Sequence, residues 1–328
     1  MNARAVALVL VSSLLGLVIP LLPAEAQQTQ RVFRVGVLNS GNPSPNPMSS
    51  PGYSRIVERL AELGFRQGQN LILEYRWAEG KMDRVQPLAN EFVEAKMDVI
   101  VAVGSNLARI IAAAKVPVPV VTASCDLFSI VTDYARPTGN FTGVTCMSTE
   151  LSPKRLELVK QVVPGAKQVV FLRNPIQGPI GLELTQKAAS QLGLVIRVVE
   201  IRSADEMGKA FATIAAERPD ALLVDPDALT LRLRKEIAEF ALAQRLPSIY
   251  AYRESVEAGG LVSYGALISE LAETAAELTA KILRGAKPHE LPIQQVMRIH
   301  LTINLKSARA LGLEIPLSVL VRADRVIE

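Results

Sequence analysis

The chain alternates short apolar runs with longer amphipathic stretches. Val99-Ile100-Val101-Ala102-Val103 is apolar without polar alternation, the pattern of a strand covered on both faces. Gly104 ends the run, and Leu107–Ala114 then shows helical spacing. Ser105 and Asn106 stand between the two, placed to cap the helix or to meet a ligand. The same pattern predicts strands at Val32–Leu38, Leu71–Tyr75, Pro119–Thr122 and Phe141–Thr145. It predicts helices at Tyr53–Leu63 and Val85–Ala95, the first stopped by Gly64. Asn39–Gly52 is too rich in Gly, Pro, Ser and Asn to be core.

A second series repeats the first. A helix over Pro153–Val163 leads into strands at Val169–Arg173, Val195–Val199, Ala221–Val224, Ser248–Tyr250 and Gly260–Tyr264. Helices at Ile180–Leu192, Ala204–Glu217 and Leu229–Ala243 separate them. Ser203 and Glu206 read as a capping box. Both series carry Leu-Gly at the end of their first helix, Leu63-Gly64 and Leu192-Gly193. The repetition predicts an α/β protein of two similar Rossmann-like lobes with parallel-sheet cores and a cleft between them. Leu267–Leu283 is an amphipathic helix returning to the first lobe. Val296–Ile303 reads as a strand, Leu305–Leu311 as a helix capped by Asn304, and Pro316–Ile327 as one more crossing between lobes. Residues 31–147 with 266–295 are expected to form lobe 1, and 148–265 with 296–328 lobe 2. Several crossings make a hinge.

The 328 residues suit two domains. Net charge is +4 and the pI is 9.1, but no Lys/Arg block stands out and acidic residues are interleaved. Nucleic acid is therefore not an expected partner. Arg4, the apolar Ala5–Leu22 and Ala24-Glu25-Ala26 read as a secretory signal peptide over residues 1–26, with the mature protein expected in the periplasm. A transmembrane anchor is the competing reading, disfavoured by the marginal length of the run and by Pro20 and Pro23 near its end. No Cys marks a lipidation site at the cleavage point. Cys125 and Cys146 each follow a predicted strand end, and export permits a disulfide without requiring one. His289 and His300 have no metal-ligand spacing and read as surface or loop residues.

Catalytic and nucleotide signatures are missing. There is no G-x-S-x-G elbow, no G-x-G-x-x-G after the first strand and no G-x-x-x-x-G-K-[ST] loop. Asp225 and Asp227 read as caps of the helix beginning near Leu229. No cofactor and no metal are expected. The strand ends supply binding chemistry instead: Asn39, Ser40, Gly104, Ser105, Ser124, Asp126, Asn174, Asp225, Tyr250 and Tyr264. Ser105 with amides at a helix start suits a carboxylate. Asp126 or Asp225 suits an amine. Tyr53, Phe128, Tyr134 or Tyr252 suits an apolar or aromatic side chain. Binding without turnover is the expectation, with a sensory ligand-binding module as the alternative and a hydrolase less favoured.

Several stretches carry a family resemblance. They are Leu60–Phe65 with Gly68-Gln69-Asn70, Glu74–Gly80 (EYRWAEG), Asp98–Gly104, Ala135–Val144 (ARPTGNFTGV), Lys154–Leu158, Ala258–Gly265 (AGGLVSYG), Ile282–Pro292 (ILRGAKPHELP), Asn304-Leu305-Lys306 and Ala310–Pro316 (ALGLEIP). The chain resembles the substrate-binding proteins of ABC transporters, in the group often labelled tryptophan/tyrosine transport. The resemblance implies a type I periplasmic-binding fold with three interlobe crossings and a pocket along the strand ends. It also implies a monomer that delivers a small solute to an inner-membrane permease with a separate ATPase. The family's Thr-Asp-Pro stands here as Ser124-Cys125-Asp126-Leu127, and its Pro-Gly-Gly-Asn as Pro137-Thr138-Gly139-Asn140.

Overall fold

The computed structural model describes residues 31–328, apart from 42, 44, 45, 126, 128–130 and 132. The expected signal peptide, Asp126, Phe128 and the side chain of Ser105 lie outside the described residues. In chain order come β1 (Phe33–Asn39), α1 (Pro51–Glu62), β2 (Leu71–Trp77), α2 (Val85–Glu94), β3 (Val99–Val103), α3 (Ser105–Ala114), β4 (Val120–Ala123) and β5 (Phe141–Cys146). Next are α4 (Ser152–Val162), β6 (Gln168–Arg173), α5 (Ile180–Gln191), β7 (Val195–Glu200), α6 (Met207–Glu217) and β8 (Ala221–Val224). They are followed by α7 (Ala228–Arg232), α8 (Arg234–Ala243), β9 (Ser248–Tyr250), α9 (Arg253–Glu257), β10 (Val262–Gly265) and α10 (Ile268–Leu283). The chain finishes with β11 (Gln294–Val296), β12 (His300–Asn304), α11 (Leu305–Leu311), α12 (Leu317–Leu320) and β13 (Arg325–Ile327).

Sheet 1 has the order β2-β1-β3-β4-β5-β11 and its pairs are parallel. Sheet 2 runs β7-β6-β8-β9-β10-β12-β13 and is parallel except between β10 and β12. The strand period of two sends alternate residues to opposite faces. Val99 and Val101 join Val35 and Val37 in the cluster under α1 and α10, while Ile100 and Ala102 join Leu38 and Phe92 under α2 and α3. Lobe 2 divides likewise, with Phe171 and Leu223 on one face and Val170, Leu172 and Leu222 on the other. Helices therefore cover both faces of each sheet, which is why these strands read as unbroken apolar runs. Gly36 is needed for that coverage: a Cβ there would sit 2.8 Å from the Phe92 ring.

The main chain passes between the sheets three times, between β5 and β6, β10 and β11, and β11 and β12. Two expectations change here. Val296–Ile303 is not one strand but the end of β11 in sheet 1, a passage over 297–299, and β12 in sheet 2. Pro316–Ile327 does not cross; β13 pairs with β12, Thr302 opposite Arg325. The Asp324 carboxylate accepts from Leu301 N at 2.8 Å and its own N–H donates to Leu301 O at 2.9 Å, which docks β13 on that edge. The expected helix over Leu229–Ala243 is interrupted at Leu233. The expected capping box is not formed either. A 3-10 turn over Ala204–Glu206 precedes α6, and the Glu206 carboxylate reaches back to Arg202 N at 2.8 Å.

The crossings are held by buried polar groups. Arg155 is 1% exposed; its Nε donates to Tyr264 O at 2.8 Å, Nη1 to Ser148 O at 2.9 Å and Nη2 to Ser148 Oγ at 3.1 Å. It thereby ties the first passage to the strand that enters the second. His300, expected at the surface, is buried at the third passage. Its Nε2 lies 3.1 Å from Glu270 Oε1 of α10 and its Nδ1 3.8 Å from Asp324 Oδ1. Cys125 and Cys146 form a disulfide that joins the residues at the ends of neighbouring β4 and β5, with Cα atoms 4.4 Å apart.

Two outcomes test this account of the hinge. Arg155→Ala removes a filled guanidinium and leaves two buried carbonyls without that donor, so urea unfolding should show a loss of about 3–5 kcal/mol. Reducing the disulfide, which closes a 21-residue separation, should lower the stability read from the urea midpoint by about 3 kcal/mol.

Candidate functional site

In open parallel sheets a ligand crevice forms at the carboxyl ends of strands where strand order reverses. Sheet 1 reverses at β1, which lies between β2 and β3; sheet 2 reverses at β6, between β7 and β8. Asn39, Ser40, Gly104 and Ser105 follow the strands of the first switch point, and Asn174 and Asp225 those of the second.

The lobe 1 side is a built loop. Asn39 Nδ2 donates to Tyr53 Oη, and Asn39 Oδ1 accepts from Gly41 N at 2.5 Å. The turn after β2 pins the same segment: Ala78 N donates to Asn39 O, Gly80 N to Ser40 O and Glu79 N to Gly41 O, at 2.7–2.9 Å. Ser40 Oγ lies 3.4 Å from where a Cβ on Gly104 would stand, so these two predicted residues are neighbours. Gly104 has φ 113°, a conformation L side chains rarely adopt, and it lets α3 start at once with Ser105. The unpaired N–H groups of the first turn of α3 thus lie at the strand end, where they favour negative charge.

Aromatic rings line the same corner. Tyr53 meets Tyr75 edge-on with centroids 6.0 Å apart, and Tyr75 stacks on Trp77 at 5.9 Å. Trp77 is the register partner of Asn39 and is half-buried, outside the apolar clusters. Burial raises the Tyr53 phenol well above the usual tyrosine range, partly offset by the Asn39 hydrogen bond; burial raises Tyr75 too. Both rings stay neutral at any physiological pH. Tyr75 and Trp77 are not among the candidate residues read from the sequence, and the structure brings both rings beside Asn39 and Tyr53.

On the lobe 2 side, Asn174 and Asp227 bind each other. Asn174 Nδ2 donates to Asp227 Oδ1 at 3.1 Å, and Asn174 Oδ1 accepts from Ile176 N at 3.2 Å. Asp227 also accepts from Gln177 Nε2 at 2.5 Å and from Leu229 N at 2.8 Å, capping α7 as its position suggested. Asp225 is buried in the neighbouring loop. Its Oδ1 would stand 3.6 Å from a Cβ on Gly181 in the first turn of α5, beside Thr149 of the first passage. The two switch points touch: Asn106 Nδ2 in α3 donates to Ile176 O, 2.9 Å away.

The remaining candidates sit elsewhere. Ser124 is buried with its Oγ 3.0 Å from Thr122 Oγ1, inside the sheet edge. Tyr250 is 1% exposed and packs in the lobe 2 core, where a Cβ on Gly260 would stand 2.4 Å from its ring; burial pushes its phenol above the usual range. Tyr264 packs against the other lobe 2 cluster and gives its carbonyl to Arg155. Tyr134 packs on the cluster around Phe141 and Ile293, and Tyr252 precedes α9. Among the described residues no group of three or more His, Cys, Asp or Glu is placed to hold a metal ion, and no helix is long and apolar enough to cross a membrane.

The chain matches known proteins over most of its length. Residues 47–327 match the family described as "ABC transporter substrate binding protein". A "Tyrosine-binding protein" of Clostridioides difficile (strain R20291) is 25% identical over 265 residues, 79% of this chain and 76% of that protein. A conserved domain protein of Vibrio cholerae superposes with a TM-score of 0.80 at 24% identity, covering 90% of this chain and 100% of the other. An ABC domain in complex with L-Trp from Streptococcus pneumoniae gives 0.79 at 25% identity, with the same coverage. A ligand-free, open substrate-binding protein from Clostridium difficile gives 0.60 at 23%, covering 90% and 99%. The two-lobed architecture is that of the type I periplasmic-binding proteins. The family's description names a substrate-binding role and no catalytic one. The chain belongs to the ABC transporter substrate-binding protein family and is the solute-binding component of an ABC importer, a membership that implies a small-molecule ligand and a cognate permease and ATPase.

Proposed function

We propose that the chain binds one aromatic or apolar amino acid in the interlobe cleft and hands it to the permease. The observation that carries this reading is the pairing of opposite electrostatics at the two switch points. One presents the amino end of α3 beside Ser40 and Gly104; the other presents the buried Asp225. A zwitterion needs that pair: an anion site for its carboxylate and a carboxylate for its ammonium. Asn39 stands beside the first and Asn174 beside the second; Ser105 and Asp126 are assigned to the carboxylate and the amine on the sequence alone. Tyr75 and Trp77 offer a planar surface to the side chain, whose burial is worth roughly 1.5–3 kcal/mol. The ligands named for two relatives, tyrosine and L-Trp, are of this class.

The protein acts outside the cytoplasm, as its family does. In our reading residues 1–26 are cleaved after Ala26 and the mature monomer works in the periplasm without a lipid anchor, a cofactor or a nucleic-acid partner. Its permease lies in the inner membrane.

Protein unfolded with its disulfide intact, refolded and stripped of carried-over ligand should be stabilised by L-tyrosine, L-tryptophan or L-phenylalanine in a thermal-shift assay. Tyramine and 4-hydroxyphenylpropionate, each lacking one charged group, should leave the melting temperature unchanged. Asp225→Asn should weaken calorimetric affinity about 30-fold or more, the usual penalty of removing one partner from a buried charged pair. Trp77 is the single tryptophan of the chain, so L-phenylalanine should also shift its emission. Stabilisation by sugars, with no response to any amino acid, would refute the ligand class.

A further inference from the structure

We infer that Asn106 is a positioning residue for lobe closure: its amide latches α3 of lobe 1 to the Ile176 carbonyl of lobe 2 and sets how long the cleft stays shut. The bond, 2.9 Å long, joins residues 70 apart in sequence and connects the loop regions after β3 and β6. From the sequence Asn106 reads as a helix cap or a ligand contact, and Ile176 is outside the expected ligand-binding set.

Both ends of the latch are held before it forms. Asn106 Oδ1 accepts from Arg109 Nη2 at 2.5 Å, within α3, which fixes the amide so that its NH2 group points away from that guanidinium. On the other side Ile176 lies in a 3-10 turn over Pro175–Gln177. Asn174 caps that turn through Ile176 N and also bonds Asp227, while the Gln177 side chain bonds the other Asp227 oxygen. Arg173 Nη2 holds the carbonyl of Gly178 just beyond. A donor and an acceptor that are already oriented lose little freedom on meeting.

The latch is also far enough from the hinge to discriminate between states. The passages join sheet 1 at β5 and β11; in sheet 2 two of them join at β10 and β12, and the first reaches β6 only after α4. β3 is two strands from β5 and β6 is three strands from β10, lever arms of about 10 and 14 Å at normal strand spacing. A hinge rotation of about 15° would separate donor and acceptor by a further 3–4 Å, beyond hydrogen-bonding reach. The bond is therefore made in the closed arrangement and lost in the open one, and only such a differential contact shifts the equilibrium.

The test compares Asn106→Asp and Asn106→Ala with wild type in the full mature chain. Asp at the second position of α3 keeps an acceptor for Arg109 and suits the positive helix end, so folding is preserved while the donor is lost. X-ray scattering of ligand-stripped protein should give a larger radius of gyration for both variants, more so for Asn106→Asp. This arm does not depend on what the ligand is. L-phenylalanine release, followed by Trp77 emission in stopped flow, should be about 2- to 10-fold faster with the association rate unchanged; this arm alone rests on the amino-acid reading. Scattering identical to wild type in both variants would overturn the latch. Faster release with unchanged scattering would overturn it too, by making Asn106 a ligand contact.

Discussion

A parallel strand covered by helices on both faces has no side chain left over for chemistry. That constraint organises this molecule. β3 and β8 bury their residues almost completely, so polar groups collect where the strands end. Parallel pairing then places those ends along one edge of each sheet. The reversal of strand order at β1 and β6 opens a gap in each edge, and the helices starting there present unpaired amides to it. Ser40 beside Gly104, and Asp225 beside the first turn of α5, are consequences of this arrangement.

The hinge solves a different problem. Three strands of chain must pass between the lobes, and their backbone groups cannot all be satisfied by a sheet. Arg155 supplies several N–H donors to Ser148 in the first passage and to the Tyr264 carbonyl in the strand that enters the second, and His300 stands between carboxylates from α10 and from the segment before β13. Glu270 belongs to a helix packed on sheet 1, whereas His300 belongs to sheet 2. The pair therefore connects the lobes beside the third passage. The disulfide does the corresponding job at the mouth of β4 and β5, where the chain leaves the sheet for the first passage.

In the proposed latch each partner is held by its own lobe. The Asn106 amide is fixed by Arg109, and the Asn174–Asp227–Gln177 knot holds the turn that carries Ile176. A single neutral hydrogen bond contributes about 0.5–1.5 kcal/mol net, enough to alter populations several-fold without locking the cleft. Strong latching would hinder release to a permease; no latch would leave closure entirely to the ligand.

The local code of this protein was legible in one dimension. Val99–Val103 could only be a doubly covered strand, the two Leu-Gly stops marked equivalent helix ends, and Asp227 could be read as a cap because its partner, Leu229 N, is two residues away. Those properties depend on neighbours within a turn or a strand, and the sequence by itself determined them. It also fixed the duplicated βα order and the strand-end positions from which a site had to be drawn. Tertiary structure decided what depends on residues far apart. Tyr250 was named at a strand end, but burial beneath Gly260 removes it. The run from Val296 to Ile303 looks continuous, yet its ends pair with β5 and β10, in different sheets. Arg325–Ile327 is too short to announce a strand and becomes one because β12 offers an edge. Trp77, His300 and Asn106 take their contacts from Tyr75, Glu270 and Ile176. Of these partners only Tyr75 is close in sequence, and it too acts through a face that only folding defines. Periodicity tells which side of an element is apolar; it does not tell which distant backbone or side chain will arrive there.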